Sequence, residues 1–135
     1  MSETLEQSVF LGGKPEVIYN AWLSSEAHTS FTGGSKAQID PRVGGAFTAW
    51  DEYISGLTLV LDPPRRIVQS WRTTEFPEGA PDSVLELFFN PEGEGTRLIL
   101  RHSEIPDGQG EEYRKGWEDY YFKPMGDFFG GSDSF

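Results

Sequence analysis

The sequence has no cysteine. That excludes disulfides, thiolate nucleophiles and thiolate metal sites, and it is compatible with a reducing cytoplasm, the location expected for this chain. Basic residues are scarce: eleven Lys and Arg stand against 22 Asp and Glu, a formal net charge of −11. The summed field repels phosphate backbones and anionic bilayers, so nucleic acid is not an expected partner. No apolar run approaches the ~20 residues a spanning helix needs, so no membrane insertion is expected. Residues 1–6 mix polar side chains with two acids, unlike a signal peptide. Histidine occurs only twice, as His28 and His102. With no His-Glu-x-x-His pattern, and only the loop-borne Glu104 and Asp107 nearby, no metal site is expected, nor any cofactor. There is no internal repeat and no low-complexity tract.

What is present fits one domain over residues 1–135, with its core at about 5–129. Apolar residues make up 36% and aromatics 14%, so the core leans on large rings, whose packing tends to leave irregular gaps. The organising stretch is residues 106–129. Tyr113, Trp117, Tyr120, Tyr121, Pro124 and Phe128 fall along one side of a helix, and Glu111, Glu112, Lys115, Glu118, Asp119 and Lys123 along the other. Pro106, Asp107 and Gly108 mark its start, with Asp107 available as a cap, and Gly130, Gly131 and Ser132 mark its end. Pro124 removes an amide that would bond to the Tyr120 carbonyl, which predicts a kink or a break there.

Before that helix, residues 5–11 read as a strand closed by Gly12 and Gly13. A helix opens at Pro15 with Val17, Ile18, Ala21 and Trp22 on its buried side, and a short helical turn runs from Ser24 to Phe31. Short strands follow at 36–40, 46–50, 53–61, 66–73, 83–90 and 95–103. Gly56, inside one of them, predicts a bulge or a close backbone approach. With Pro91, Glu92, Gly93 and Glu94 as the turn of the last hairpin, Phe89 pairs with Thr96, Leu87 with Leu98, Leu85 with Leu100 and Ser83 with His102. One face is then apolar and ends in a Ser–His pair, while Glu86 lies diagonal to Arg97 and Arg101 on the other.

The order strand, two short helices, six strands and a long terminal helix predicts an α+β domain, a curved antiparallel sheet of about seven strands around the C-terminal helix. Here the chain resembles a known family. The carriers are Val43-Gly44-Gly45-Ala46-Phe47, Asp51 followed by Ile54-Ser55-Gly56, Arg66-Ile67-Val68 ahead of Trp71-Arg72, Gly95-Thr96-Arg97-Leu98 leading to His102, and Gly116-Trp117 ahead of Tyr120-Tyr121. These strings are similar to the family of homologues of the activator of heat-shock protein 90 ATPase, within the START-like (SRPBCC) superfamily of helix-grip folds. The resemblance runs from about residue 6 to residue 129 and covers a START-like module, without the additional amino-terminal domain of the eukaryotic co-chaperones. Glu52 and Glu104 stand at turn positions where the family often has Gly.

The resemblance implies a cavity between sheet and terminal helix of the kind superfamily members use for lipids, polyketides and aromatic metabolites. Aromatics converge there, and Trp22, Phe47, Trp50, Trp71, Trp117, Tyr120 and Tyr121 are the candidate walls, with Arg72, Ser83 and His102 as candidate polar groups at its rim or floor. The alternative for each ring is ordinary core packing. His102 reads as a proton shuttle beside a hydroxyl or as a structural histidine satisfied by hydrogen bonds. No Gly-x-Ser-x-Gly elbow and no orienting acid accompany Ser83 and His102, so no catalytic residue is assigned. Gly12-Gly13-Lys14 runs into Pro15 and is not a phosphate loop. Three functions remain open: a non-enzymatic binder of a hydrophobic small molecule, a co-chaperone-like protein of the stress response that binds heat-shock protein 90, and an aromatase- or cyclase-type enzyme in which His102 faces the cavity.

Overall fold

A computed structural model of the chain describes residues 2–130. Seven strands form one antiparallel sheet: β1 (Ser2–Leu11), β2 (Gln38–Ile39), β3 (Ala46–Ala49), β4 (Ile54–Asp62), β5 (Arg66–Thr73), β6 (Ser83–Glu92) and β7 (Gly95–Pro106). Their spatial order is β1-β7-β6-β5-β4-β3-β2, so β1 closes one edge against the last strand while β2 to β7 run as successive hairpins. Between β1 and β2 lie α1 (Pro15–Leu23) and α2 (Ser25–Phe31). Pro15 opens α1, where its missing N–H costs nothing, and Ser24 caps α2 by accepting the Ala27 N–H at 3.1 Å. In α1 the buried side is Ile18, Tyr19, Trp22 and Leu23; Val17, expected inside, is 50% exposed.

The C-terminal helix crosses the concave face in three continuous pieces: α3 (Gly110–Gly116), a π-helical turn (Trp117–Phe122) and α4 (Lys123–Phe129). The irregularity expected at Pro124 therefore sits one turn earlier, where the Lys123 N–H reaches back five residues to the Glu118 carbonyl. An α-helical approach would press the proline ring onto the Tyr120 carbonyl, and the wider turn avoids that contact. The inserted residue also rotates everything beyond it. Tyr113, Trp117, Tyr121, Phe122 and Met125 are buried, whereas Tyr120 and Phe128, expected underneath, are 60% and 50% exposed. Asp107 is not the cap of this helix. The Glu3 carboxylate from β1 accepts the N–H groups of Gly108 at 3.0 Å and Gly110 at 2.7 Å, and these bonds hold its pKa below the ordinary value. Gly131 and Ser132, expected with Gly130 to close the helix, lie outside the described residues.

The last hairpin turns tighter than the sequence suggests. Glu92 faces Gly95, leaving Gly93 and Glu94 as a two-residue turn with Gly93 at φ +57°. Each expected pair is displaced by two: Pro91 faces Thr96, Phe89 faces Leu98, Leu87 faces Leu100 and Leu85 faces His102. An even displacement leaves every side chain on its predicted face, so the apolar surface survives the error. Ser83 instead lies opposite Trp71 of β5, and Glu86 is directly opposite Arg101 while its carboxylate pairs with Arg66 at 2.6 Å. Gly56 marks a close approach, not a bulge: a Cβ there would collide with the Ser70 carbonyl oxygen and stand 2.8 Å from the Phe47 ring. The β4 bulge falls later, between Thr58 and Val60. Strand β3 stops at Ala49, and Trp50, Asp51 and Glu52 all take left-handed backbone angles, with φ of 55°, 55° and 73°.

Candidate functional site

Between the concave face of the sheet and the C-terminal helix lies a cavity of about 270 Å³. The sheet contributes Trp71 from β5, Ile54 from the start of β4, and Trp50 and Tyr53 from the turn before it. The helix contributes Tyr113 and Gly116 from α3, and Trp117, Tyr120 and Tyr121 from the π-helical turn. The rings meet at steep angles. Trp50 stands at 67° to Tyr120 and 70° to Tyr121, and Trp71 at 82° to Tyr113, so they form a box rather than a stack. Edge-to-face pairs of this kind contribute ~0.5–1.5 kcal/mol each beyond their burial. Gly116 lacks the Cβ that would narrow the space: one built there meets only Tyr120 Cδ2, at 4.0 Å.

Several polar atoms of these walls already have protein partners. The Tyr53 hydroxyl donates to the Glu75 carboxylate. Around Tyr113 the bonds close into a ring: the Glu75 N–H donates to Thr73 Oγ1 at 3.1 Å and Thr73 Oγ1 donates to the Tyr113 oxygen at 2.7 Å. Tyr113 in turn donates to Gln109 Oε1 at 2.7 Å, and Gln109 Nε2 returns to the Glu75 carbonyl at 3.0 Å. The Tyr121 hydroxyl donates to His28 Nε2 at 2.9 Å, because the Trp22 carbonyl at 3.0 Å requires the proton on His28 Nδ1. Burial keeps His28 neutral, with its pKa pushed down to about 4, and pushes the Tyr121 hydroxyl up.

Of the residues nominated from sequence, Trp50, Trp71, Trp117, Tyr120 and Tyr121 line the cavity. Trp22 and Phe47 are buried beside it: Trp22 packs on Tyr121 with centroids 5.2 Å apart and donates its indole N–H to Gln69 at 3.1 Å, while Phe47 covers Gly56. Arg72 points away, donating to the Ala80 carbonyl at 3.0 Å and pairing with Asp82 at 2.7 Å. Ser83 and His102, expected at the rim or floor, sit behind the wall. The Trp117 indole donates to His102 Nδ1 at 3.1 Å, which fixes the ring proton on Nε2. That N–H donates to Ser83 Oγ at 2.8 Å, and Ser83 donates onward to the Trp71 carbonyl at 2.6 Å. His102 has no exposed surface, and burial lowers its pKa to about 3. With both nitrogens occupied, it pins two walls of the cavity, Trp71 and Trp117, to each other.

Tyr53, Ile54, Tyr113 and Gly116 were missed as lining residues. Tyr113 stood four residues before Trp117 on the same helix face, so its signal was available. Tyr53 had none, because its aim is set by the three left-handed residues before it. Among the described residues no group of His, Cys, Asp or Glu could hold a metal ion, and no helix is long and apolar enough to cross a membrane.

The family described as "Activator of Hsp90 ATPase homolog 1-like protein" matches residues 13–130. The chain belongs to this family. It is 33% identical over 116 residues to the human "Activator of 90 kDa heat shock protein ATPase homolog 1", a match covering 86% of this chain but 34% of the human protein. The chain therefore spans about a third of the length of the curated relatives it matches. Among solved structures, an HSP90 activator from Plasmodium falciparum superposes with a TM-score of 0.89 at 25% identity, over 96% of this chain and 99% of that one. The CalU16 protein of Micromonospora echinospora does so with a TM-score of 0.75 at 29% identity, over 96% and 76%. The curved antiparallel sheet around a C-terminal helix expected from the element order is observed, and it is the helix-grip architecture that the resemblance implies.

Proposed function

We propose that this protein is a non-enzymatic binder of a hydrophobic small molecule, held in the cavity between the sheet and the C-terminal helix. The observation that carries the reading is the ring-walled space of about 270 Å³, kept open by Gly116 and reached past the exposed Tyr120. A concave, largely apolar site with few polar atoms is the usual form of a ligand pocket. The same geometry weighs against the aromatase or cyclase reading, since His102 is buried behind Trp71 and Trp117 with both nitrogens bonded. Native mass spectrometry of protein purified from its own cells tests the proposal. A reproducible extra mass that leaves on denaturation, and that is absent from a Gly116→Leu variant, supports it. No extra mass, together with no thermal shift across lipids and aromatic metabolites, refutes it.

A second reading, co-chaperone-like binding to heat-shock protein 90 in the cytoplasm, is favoured by the names of the relatives, above all the Plasmodium activator whose chain is matched nearly end to end. A pull-down at low salt, where an acidic surface binds best, tests it; recovery of no chaperone there counts against it.

A further inference from the structure

The walls of the cavity carry many rings and no ionised side chain, and carboxylates stand close behind them. The Glu75 carboxylate accepts from the Tyr53 hydroxyl, and the Glu75 backbone is tied to Tyr113 through Thr73 and Gln109, so this acid is held behind two lining residues. Glu112 lies beside it: burial first, and then the charge and hydrogen bond of Glu75, hold the Glu112 carboxyl above its ordinary range. Asp51 and Glu52 follow Trp50 directly, and the whole chain carries −11. No Lys or Arg lines the space. An anionic ligand such as a fatty acid or a phosphate ester would enter this field without a counter-ion. The Tyr53, Tyr113 and Tyr121 hydroxyls give their protons to Glu75, Gln109 and His28, so they have no donor left for an anion.

We propose that the preferred ligand is a hydrophobic cation, a quaternary ammonium with an apolar arm, whose charge is met by the faces of Trp50, Trp71, Trp117 and Tyr120 while Glu75 supplies the longer-range field. The proposal rests on the small-molecule reading above and names its ligand class. A quaternary ammonium needs no hydrogen bond, so it leaves the hydroxyl bonds undisturbed. Aromatic boxes recognise such groups through the negative ring face, with tryptophan the strongest donor of that potential. The mutually tilted rings of this box allow several faces to meet one charge.

The test titrates the full chain with two probes of the same shape, benzyltrimethylammonium and its neutral carbon isostere neopentylbenzene, following tryptophan fluorescence. The cation is expected to bind at least ~10-fold tighter than the isostere. Glu75→Gln, which keeps an acceptor for Tyr53, is expected to weaken the cation and leave the isostere unchanged, and added salt to do the same. Trp50→Leu is expected to weaken the cation more than the isostere. Equal or tighter binding of the isostere, or an equal response of both probes to Glu75→Gln, overturns the cation assignment and leaves the cavity reading standing. Binding of neither probe at the limit of solubility also overturns the cation assignment, while the cavity reading stands or falls on the native-mass test above.

Discussion

Lowering the pH from 7.5 to 5 is expected to remove about 4 kcal/mol of folding stability through two histidines. His28 and His102 are buried and neutral, with folded pKa values of about 4 and about 3, against ~6.5 in the unfolded chain. The folded values are depressed, so above pH ~6.5 neither state binds the proton and the stability is whole. As the pH falls below that, the unfolded chain takes up protons that the native state refuses, and stability is lost down toward the folded pKa values. At pH 5 each site contributes ~2 kcal/mol of loss. The figure depends on the unfolded value and hardly on the folded ones, provided both stay below ~4.5. Urea titrations at half-unit pH steps measure the effect. His28→Gln and His102→Gln are each expected to halve the slope of ~2.5 kcal/mol per pH unit between pH 5 and 6, whatever each does to stability at pH 7.5. A flat profile in the parent protein, or an imidazole that titrates near pH 6 by NMR in the native state, would refute the reasoning: at least one buried ring would then take up a proton in the native state.

Ser83→Ala removes the acceptor of the His102 Nε2 proton in a fully buried position and is expected to cost ~1–3 kcal/mol by denaturant titration. Gly56→Ala drives a methyl into the Ser70 carbonyl; a loss of ~3 kcal/mol or more is expected, and an unchanged melting temperature would contradict the close approach. Glu52→Gly and Glu104→Gly release residues at φ 73° and 59°, and each is expected to gain ~0.5–1 kcal/mol, since the left-handed penalty exceeds the extra chain entropy glycine brings to the unfolded state.

Those two glutamates show how far the sequence could be read. Noting that they replace a common glycine located two turns, but not the run of left-handed residues that swings Tyr53 into the cavity wall. The hairpin register was displaced by two because glycines at 93 and 95 allow either a four-residue or a two-residue turn. The face of every side chain survived, since alternation fixes parity and the turn fixes only the count. The aromatic side of the terminal helix was legible for Tyr113, Trp117 and Tyr121. Through the π-helical turn a period of 3.6 no longer applies, so Tyr120 and Phe128 were placed inside in exchange for Phe122 and Met125. Polar placement was legible least. Ser83 and His102 do bond, but as diagonal neighbours and not as the expected cross-strand pair, and whether they faced the cavity depended on which side of Trp71 and Trp117 they lay, a depth that a strand pattern does not encode.

The π-helical turn and Gly116 are best understood together. Trp117 and Tyr121, four residues apart, share a face in an α-helix and in the wider turn alike, and their rings stand 4.9 Å apart across from Gly116 on the cavity side. Gly116, in ordinary helical geometry at φ −61° and with no close neighbour for a Cβ, has no backbone reason to be glycine. Alanine there is expected to stabilise the helix by ~0.5–1 kcal/mol. A site that gives up that much stability without a steric cause fits a selected empty volume. Gly116→Ala is therefore expected to raise the melting temperature by a few degrees while weakening any cavity ligand, because the added methyl stands in the wall. Leucine at the same position is expected to abolish binding with the fold intact. If Gly116→Ala left affinity unchanged, the space beside Gly116 would be incidental packing, and the case for a ligand would have to rest on the rings alone.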